Sequence, residues 1–405
     1  TLPHFSSNPS FQAVAPPVHG SHSLLKRMSW YSELYTYGRA LRAKSPLLGY
    51  LLQLSFYLPL LLNLAVLFSV TYVYVFIVTA QLTSAIQISV YLITYGFIVF
   101  MLLWSLLHTV TARHHRVPDH YALDEHTDVK LRSVTIFRPD GRADIHMEDA
   151  KNAEELAARQ RQILDAFAME KRLRMVELEP WDRLRYCYSC RVLKPDRSHH
   201  CSSCGFCSLR FDHHCPYINS CVGFHNYKYF VLLLLYVELW LIWSWTTSLE
   251  AVLRFALKHG GDPGHLGQLI AMLIMVAFTA ASSCWPIGAL LHYHWGLIVL
   301  NETTCEQAKI PRIRGDDRAN YDIGKWNNVE AAFGWGLWLF PVNTACTDGL
   351  HYPINYMTPG SGDRMRIGAL EEDSEGDEEA EDTLNESGDD TQKTLELEYS
   401  LQCDL

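Results

Sequence analysis

Between Cys187 and Cys221 the chain gathers seven of its eleven cysteines, four histidines and the tetrapeptide Asp212-His213-His214-Cys215. The order is Cys187-x2-Cys190-x9-His200-Cys201-x2-Cys204-x2-Cys207-x4-Asp212-His213-His214-Cys215-x5-Cys221. A C-x2-C pair is the spacing at which one tight turn aims two thiolates at one metal, and eight soft ligands close two tetrahedral zinc sites. Six cysteines and two histidines supply those eight. One cysteine, one histidine and one aspartate are left over, adjacent in sequence.

That surplus has a chemistry of its own. A free cysteine has a pKa of about 8.5, and its thiolate is the nucleophile. A neighbouring histidine can take the thiol proton, and a carboxylate can hold the imidazole in one tautomer. In an extended segment residues two apart share a side, so His213 and Cys215 face one way and His214 the other. This alternation predicts His213 as the base and His214 as a metal ligand. Asp212 reaches His213 only through a local turn, which spacing alone does not reveal.

The elements that must position these groups are membrane helices. No Asp, Glu, Lys or Arg occurs from Ser45 to Ala112, and a spanning helix needs about 20 apolar residues. The run holds two helices joined by the polar patch Gln81, Thr83, Ser84 and Gln87. Tyr229 to about Leu249 is a third span and Leu266 to about Leu300 a fourth. Glu238 falls near the middle of the third, where a carboxyl hydrogen-bonded between helices is the plainest expectation. Cys284, within the fourth, is expected to pack as a small residue. No cleavable signal peptide is visible, and the absence of an initial Met suggests a missing N-terminal piece.

Lys26, Arg27, Arg39, Arg42 and Lys44 precede the first span, and Arg113 and Arg116 follow the second. Basic residues on both flanks of a helix pair place both flanks in the cytosol. The cysteine cluster is then cytosolic, where reducing conditions favour metal ligation or a working thiol over disulfides.

The formal charge of −10 hides a division, because residues 371–405 hold fifteen acidic residues and one lysine, a net −14. Such a tail cannot bury enough apolar surface to fold and is expected to be disordered, as are residues 1–25. In the soluble stretch 113–186, Val129 to Phe137 has strand character, Pro139-Asp140-Gly141 signals a turn, and Ala143 to Met147 is a candidate return strand. From about Asp149 to Met175, Leu156, Ile163, Leu164, Phe167 and Leu173 recur near helical period, predicting an amphipathic helix. Its apolar face has two possible partners, the zinc module or the membrane.

The ligand order, the Asp212-His213-His214-Cys215 run and Pro216 resemble the cysteine-rich domain of the DHHC protein S-acyltransferases. Lys194-Pro195-x-Arg197, Cys221-Val222-Gly223, Asn226 and Phe230 match the same pattern. So does Thr303-Thr304-Cys305-Glu306 after the fourth span, and Tyr321-Asp322-x-Gly324, Asn328 and Phe333-Gly334 are similar to the family's C-terminal aromatic-and-asparagine motif. The departures are Tyr217 for the usual Trp, Asn219-Ser220 for Asn-Asn, and Val117-Pro118-Asp119 where Asp-Pro-Gly is common.

The resemblance implies an α-helical polytopic membrane protein: four transmembrane helices with a small two-zinc cytosolic domain between helices 2 and 3. It implies an N-terminal segment 1–44, helices 1 and 2 in 45–112, a soluble region 113–186, the zinc domain 187–228, helices 3 and 4 in 229–300, a motif region 301–345 and an acidic tail 346–405. It implies an interleaved ligand set, with Cys187, Cys190, His200 and Cys207 at one structural zinc and Cys201, Cys204, His214 and Cys221 at the other. His199 is the alternative to His200.

The implied reaction moves a long-chain acyl group from acyl-coenzyme A to Cys215, with His213 and Asp212 assisting, and then to a cysteine of a substrate protein. The setting is the cytosolic face of the Golgi, endoplasmic reticulum or plasma membrane. A cavity between the helices should take the acyl tail, at roughly 0.8 kcal/mol per buried methylene. Lys194, Arg197, Arg210 and Lys228 are candidates for the coenzyme A phosphates, and Tyr217 for the acyl path. Cys305, Cys346 and Cys403 are minor candidates for lipidation. Two rivals are an inactive zinc-stapled scaffold, which has no need of a spare thiol, and a tethered nucleic-acid binder, which needs a more basic face than this cluster offers.

Overall fold

In the computed structural model the described residues are 34–35, 37–38, 41–42, 44–112, 116–138, 143–144, 152–259 and 262–357. Lys26, Arg27, Arg39, Arg113, the Pro139-Asp140-Gly141 turn, most of the proposed return strand, both terminal tails and Cys403 lie outside them.

The chain forms two compact units, Thr1–Leu54 and Ser55–Leu405. In the first, helix α1 (Pro46–Ser55) begins, and the Arg42 guanidinium lies 4.0 Å from the centroid of the Tyr50 ring. In the second, four helices are long and apolar enough to cross a membrane: Leu58–Gln81, Ala85–Thr111, Tyr227–His259 and Pro263–Leu300.

The first span is α2 (Leu58–Tyr72) carried on through a π-helical turn at Val73–Val78. It ends at the polar patch, where Ser84 caps α3 (Ala85–Thr111) by accepting from Gln87 N–H at 3.3 Å. A side-chain oxygen there satisfies one of the N–H groups that a helix start leaves without a partner. Trp240 Nε1 of span three donates to the buried Tyr95 hydroxyl of span two at 2.8 Å, and the Tyr95 ring stacks 4.2 Å from Tyr74 of span one.

Val129 to Phe137 is not a strand. Glu125–Ser133 is helix α4, capped by Asp124, whose carboxylate accepts from Thr127 N–H at 2.9 Å. An i,i+4 pair, Asp128 with Arg132 at 2.9 Å, supports it. The β-branched residues gave the strand signal; capping and charge order at the helix ends override it. What remains of the hairpin is one bridge, Phe137 to Ala143. The predicted amphipathic helix is α5 (Ala153–Glu170), shorter at both ends. Its apolar face packs on the module: Leu164, Phe167 and Ala168 share a core with Tyr186, Cys187, Leu193 and Cys207.

Three two-stranded antiparallel hairpins build the cysteine-rich module: β3 with β4 (Tyr186–Cys187, Val192–Leu193), β5 with β6 (His199–Cys201, Phe206–Ser208) and β7 with β8 (His213–Cys215, Ser220–Val222). A separate sheet, order β2-β1-β9, joins Arg183–Leu184 and Glu177–Glu179 to Arg312–Ile313 beyond the last span.

The third span, α6 (Tyr227–His259), runs past the expected end at Leu249. The fourth comprises α7 (Leu266–Ser282) and α8 (Gly288–Leu300), with a π-helical turn at Ser283–Ile287 around Pro286, whose missing N–H breaks the ladder there. Ser283 in this turn donates to Glu238 at 2.7 Å, the interhelical hydrogen bond expected of that carboxyl. Cys284 in the same turn is exposed rather than packed. Two short helices, α9 (Thr304–Ala308) and α10 (Lys325–Phe333), follow. Asn328 ties α10 to the end of α8 by donating to the Val299 carbonyl at 2.7 Å.

Candidate active site

Each C-x2-C pair sits in the same backbone turn. The N–H of Cys190 points at the sulfur of Cys187 at 3.4 Å, and that of Cys204 at Cys201 at 3.3 Å. Arg191 and Gly205, one residue on, have φ of +58° and +78°, and each returns its N–H to the first cysteine's carbonyl at 2.7 Å. The turn gathers two sulfurs on one side.

The facing hairpins supply the other ligands. Cys187, Cys190, His200 and Cys207 form one group that could hold a metal ion, and Cys201, Cys204, His214 and Cys221 the other. His200 stands directly across from Cys207 in the strand register, and His214 across from Cys221. Zinc with Zn–S of about 2.3 Å and Zn–N of about 2.0 Å requires tetrahedral S···N edges of roughly 3.6 Å. His200 Nδ1 lies 3.5, 3.2 and 3.9 Å from Cys187, Cys190 and Cys207. His214 Nδ1 lies 3.7, 3.4 and 3.8 Å from Cys201, Cys204 and Cys221. Both donor sets fit the ion. His199 lies outside both groups.

The residues left over converge as well. His213 Nδ1 is 2.7 Å from Asp212 Oδ2, which supplies the local turn the spacing left open. Burial alone would depress the His213 imidazole; Asp212 and then Cys215 outweigh it and push it up to about 10. Burial would raise the Asp212 carboxyl, and His213 holds it below the usual range. Cys215 is 6 % exposed and belongs to the apolar core that continues through Ile218, Tyr227, Phe230 and Val231 into the spans. The thiol therefore sits on top of the helical bundle.

Several residues in this site carried no role in the sequence reading. His294 of the fourth span is 1 % exposed; its ring stands 5.9 Å from that of His213, and its Nδ1 is 3.3 Å from the Tyr227 hydroxyl. Asp212, His213 and His294 bring their polar atoms within 4.8 Å of one another. Thr304 donates its N–H to Asp212 Oδ1 at 3.0 Å, and its hydroxyl bonds the Asp212 carbonyl. A Thr-Thr-x-Glu match marks Thr304, but its partner lies 92 residues earlier.

Of the basic candidates, Arg197 is wholly buried. It forms a bidentate pair with Glu306 at 2.8 Å, donates to Asn301, and lies 4.4 Å from the Tyr321 ring centroid. Arg210 is also buried and donates to Asn301 at 3.1 Å. Lys228 donates to the Thr344 hydroxyl at 2.7 Å. These three cations are turned inward, joining the module to the segment after the fourth span. Lys194 is half-buried with no side-chain hydrogen bond among the described residues, and Tyr217 is 63 % exposed.

A family model for the DHHC palmitoyltransferase matches residues 181–311. The chain is 36 % identical over 347 residues to palmitoyltransferase spe-10 of Caenorhabditis elegans, covering 85 % of this chain and 97 % of that protein. It is 33 % identical over 178 residues to palmitoyltransferase ZDHHC20-B of Danio rerio, covering 43 % of this chain and 54 % of the relative. It is 29 % identical over 274 residues to palmitoyltransferase ZDHHC2 of the same fish, covering 67 % and 69 %. Four apolar helices among the described residues, two cysteine–histidine ligand groups and a half-buried His213 between buried Asp212 and Cys215 thus coincide with similarity along nearly the whole of one curated relative, and the chain belongs to the DHHC palmitoyltransferase family.

Proposed function

We propose that Cys215 accepts a long-chain acyl group, of palmitoyl class, from acyl-coenzyme A and passes it to cysteines of substrate proteins. The observation that carries this reading is the 2.7 Å Asp212–His213 hydrogen bond, with the buried Cys215 thiol two residues along the same short strand as His213. The thiol proton rests on His213, and the Cys215 thiolate attacks the thioester carbonyl. A carbon–sulfur bond forms, the bond to coenzyme A breaks, and the departing thiolate takes the proton from His213. In the second half His213 accepts the proton of the incoming cysteine, whose sulfur takes the acyl group as the bond to Cys215 breaks. Asp212 holds the ring in one orientation throughout.

The acyl tail descends from Cys215 among the span residues, beside Phe230 and the exposed ring of Tyr217. Lys194 is the basic candidate best free to meet the coenzyme's phosphates. Two zinc ions in the closed four-ligand sets staple the hairpins and leave no open position for chemistry. Basic flanks support a cytosolic module, where acyl-coenzyme A and substrate thiols are both present.

The test is labelling of the purified chain with a clickable acyl-coenzyme A. Cys215→Ser should lose the hydroxylamine-sensitive label with zinc content unchanged. His213→Ala should lose on the order of a hundredfold in autoacylation rate. Full labelling of Cys215→Ser would sink the assignment of the nucleophile. A zinc-replete wild type that takes no label would favour the inactive scaffold.

A further inference from the structure

Beyond α10 the chain makes a closed loop. Gly334 has φ +73°, and a Cβ there would fall 1.5 Å from the Thr344 carbonyl oxygen, so the two ends of the loop press together where only glycine fits. Trp335 N–H closes it by donating to that carbonyl at 3.1 Å. Between the ends, Trp335, Leu337, Leu339 and Phe340 are 73 %, 62 %, 59 % and 41 % exposed, and Trp338 is 37 % exposed. Five large apolar side chains in six residues form a contiguous surface of the kind that marks an interaction site.

The loop is not adrift. Lys228 Nζ donates to the Leu337 carbonyl at 3.3 Å and the Tyr236 hydroxyl to the Leu339 carbonyl at 2.6 Å. Phe340 N–H donates to Leu337 at 3.0 Å, Val342 N–H to Phe340 at 2.8 Å, and the Trp338 indole to Gly334 at 2.8 Å.

Lys228 and Tyr236 both lie on the third span, which sets the depth of the loop. Eight residues of helix separate them by about 12 Å. The helix is 33 residues long, against the roughly 20 a bilayer core needs. Glu250, Arg254 and Lys258 put its surplus length at the far end. The hydrocarbon stretch then begins near Tyr229, and Tyr236 lies roughly 10 Å below that level.

We propose that residues 335–340 are a re-entrant wedge, seated in the bilayer leaflet nearest the cysteine-rich module, whose partner is phospholipid at the boundary of glycerol and upper acyl chain. Its hydrogen bonds to Lys228 and Tyr236 of the third span, together with the exposed Trp335 and the part-exposed Trp338 at that level, favour lipid over a docked protein. The wedge bears on the end of α6 that carries Phe230, whose ring stands 5.3 Å from that of His213.

The test places an environment-sensitive fluorescent amino acid at Leu337 in the full chain, reconstituted in phosphatidylcholine nanodiscs. The same probe at Asp182, exposed in the turn between β1 and β2 outside the module, is the reference. Unchanged zinc content shows that the labelled chains are folded. Nitroxide lipids quench at the headgroup, the upper acyl chain or the chain end. The expected result is a blue-shifted emission at position 337 and quenching several-fold stronger than at 182, greatest with the upper-chain nitroxide. Equal quenching at the two positions overturns the proposal. So does emission at 337 that shifts only when a soluble protein is added, which would mark this face as a protein-docking surface.

Discussion

The backbone N–H of Thr304 meets one carboxylate oxygen of Asp212 at 3.0 Å, while His213 occupies the other at 2.7 Å. Asp212 is thus oriented from both sides, once by the ring it steers and once by a helix start beyond the fourth span.

Thr304 is the first residue of α9, the position where proline is best tolerated, and Thr303 before it is extended, as a residue preceding proline should be. Thr304→Pro deletes the N–H and keeps the helix. Hydrogen bonds to charged groups contribute about 1.5–3 kcal/mol, so we expect autoacylation to fall on the order of ten- to a hundredfold with zinc retained. Thr304→Val, which keeps the N–H, should lose less. Autoacylation rates of the two variants check this, and equal losses would assign the effect to the hydroxyl.

Elemental analysis should find two zinc ions per chain. Cys204→Ala opens a closed site and should lower the zinc content and leave misfolded protein, because ligand loss couples to unfolding. A wild-type zinc content near zero would refute the ligand assignment.

Glu306 and Arg197 have side chains 4 % and 0 % exposed. Removing one partner of such a pair costs about 3–5 kcal/mol, because the remaining charge stays buried. Glu306→Ala should therefore lower thermal stability severely, more than an exposed pair such as Glu155 with Arg159, whose loss should cost under about 1 kcal/mol. Burial would raise the Glu306 carboxyl, and Arg197 holds it below its usual range. The pair's contribution is full above the unfolded carboxyl's pKa and fades as pH falls through the depressed folded value. A melting series from neutral to acid pH, for wild type and variant, should converge at the acid end.

Tyr217 is 63 % exposed within the protein, so its ring supports no core packing. Tyr217→Ala should leave the melting temperature within about 0.5 kcal/mol equivalent of wild type. Any loss of acylation then reports contact with the acyl chain. Tyr217→Trp should keep activity and shift preference toward shorter chains, since the larger ring fills space near the thioester. Autoacylation across a series of acyl-coenzyme A lengths measures both, and an unchanged profile in both variants removes Tyr217 from the acyl path.

What the sequence made legible was what periodicity and spacing encode. The four spans follow from length and missing charge, and His214 opposite His213 from the two-residue period of a strand. The break between the first two spans follows from the polar patch Gln81, Thr83, Ser84 and Gln87. The rest depended on contacts made far along the chain. Lys and Arg near a membrane face read as anion binders, yet Arg197 and Arg210 face inward because Glu306 and Asn301, about a hundred residues later, receive them. His294 lies among apolar span residues, and only the packing of the fourth span brings it to His213. Val129 to Ser133 is helical despite its β-branched neighbours because the cap at Asp124 starts a helix there.

The bond from Thr304 to Asp212 has a consequence for how the protein is made. All eight residues that could hold the two zinc ions, and the proposed nucleophile, are complete once Cys221 has left the ribosome, but the N–H that orients Asp212 arrives more than eighty residues later. At about 5–20 residues per second that is a delay of roughly 4–17 seconds. During it the nascent chain can close its zinc sites but lacks this hold on Asp212. On the proposed mechanism full reactivity is therefore timed to insertion of the fourth span, and a chain stalled or truncated before Thr303 would carry Cys215 with Asp212 held by His213 alone.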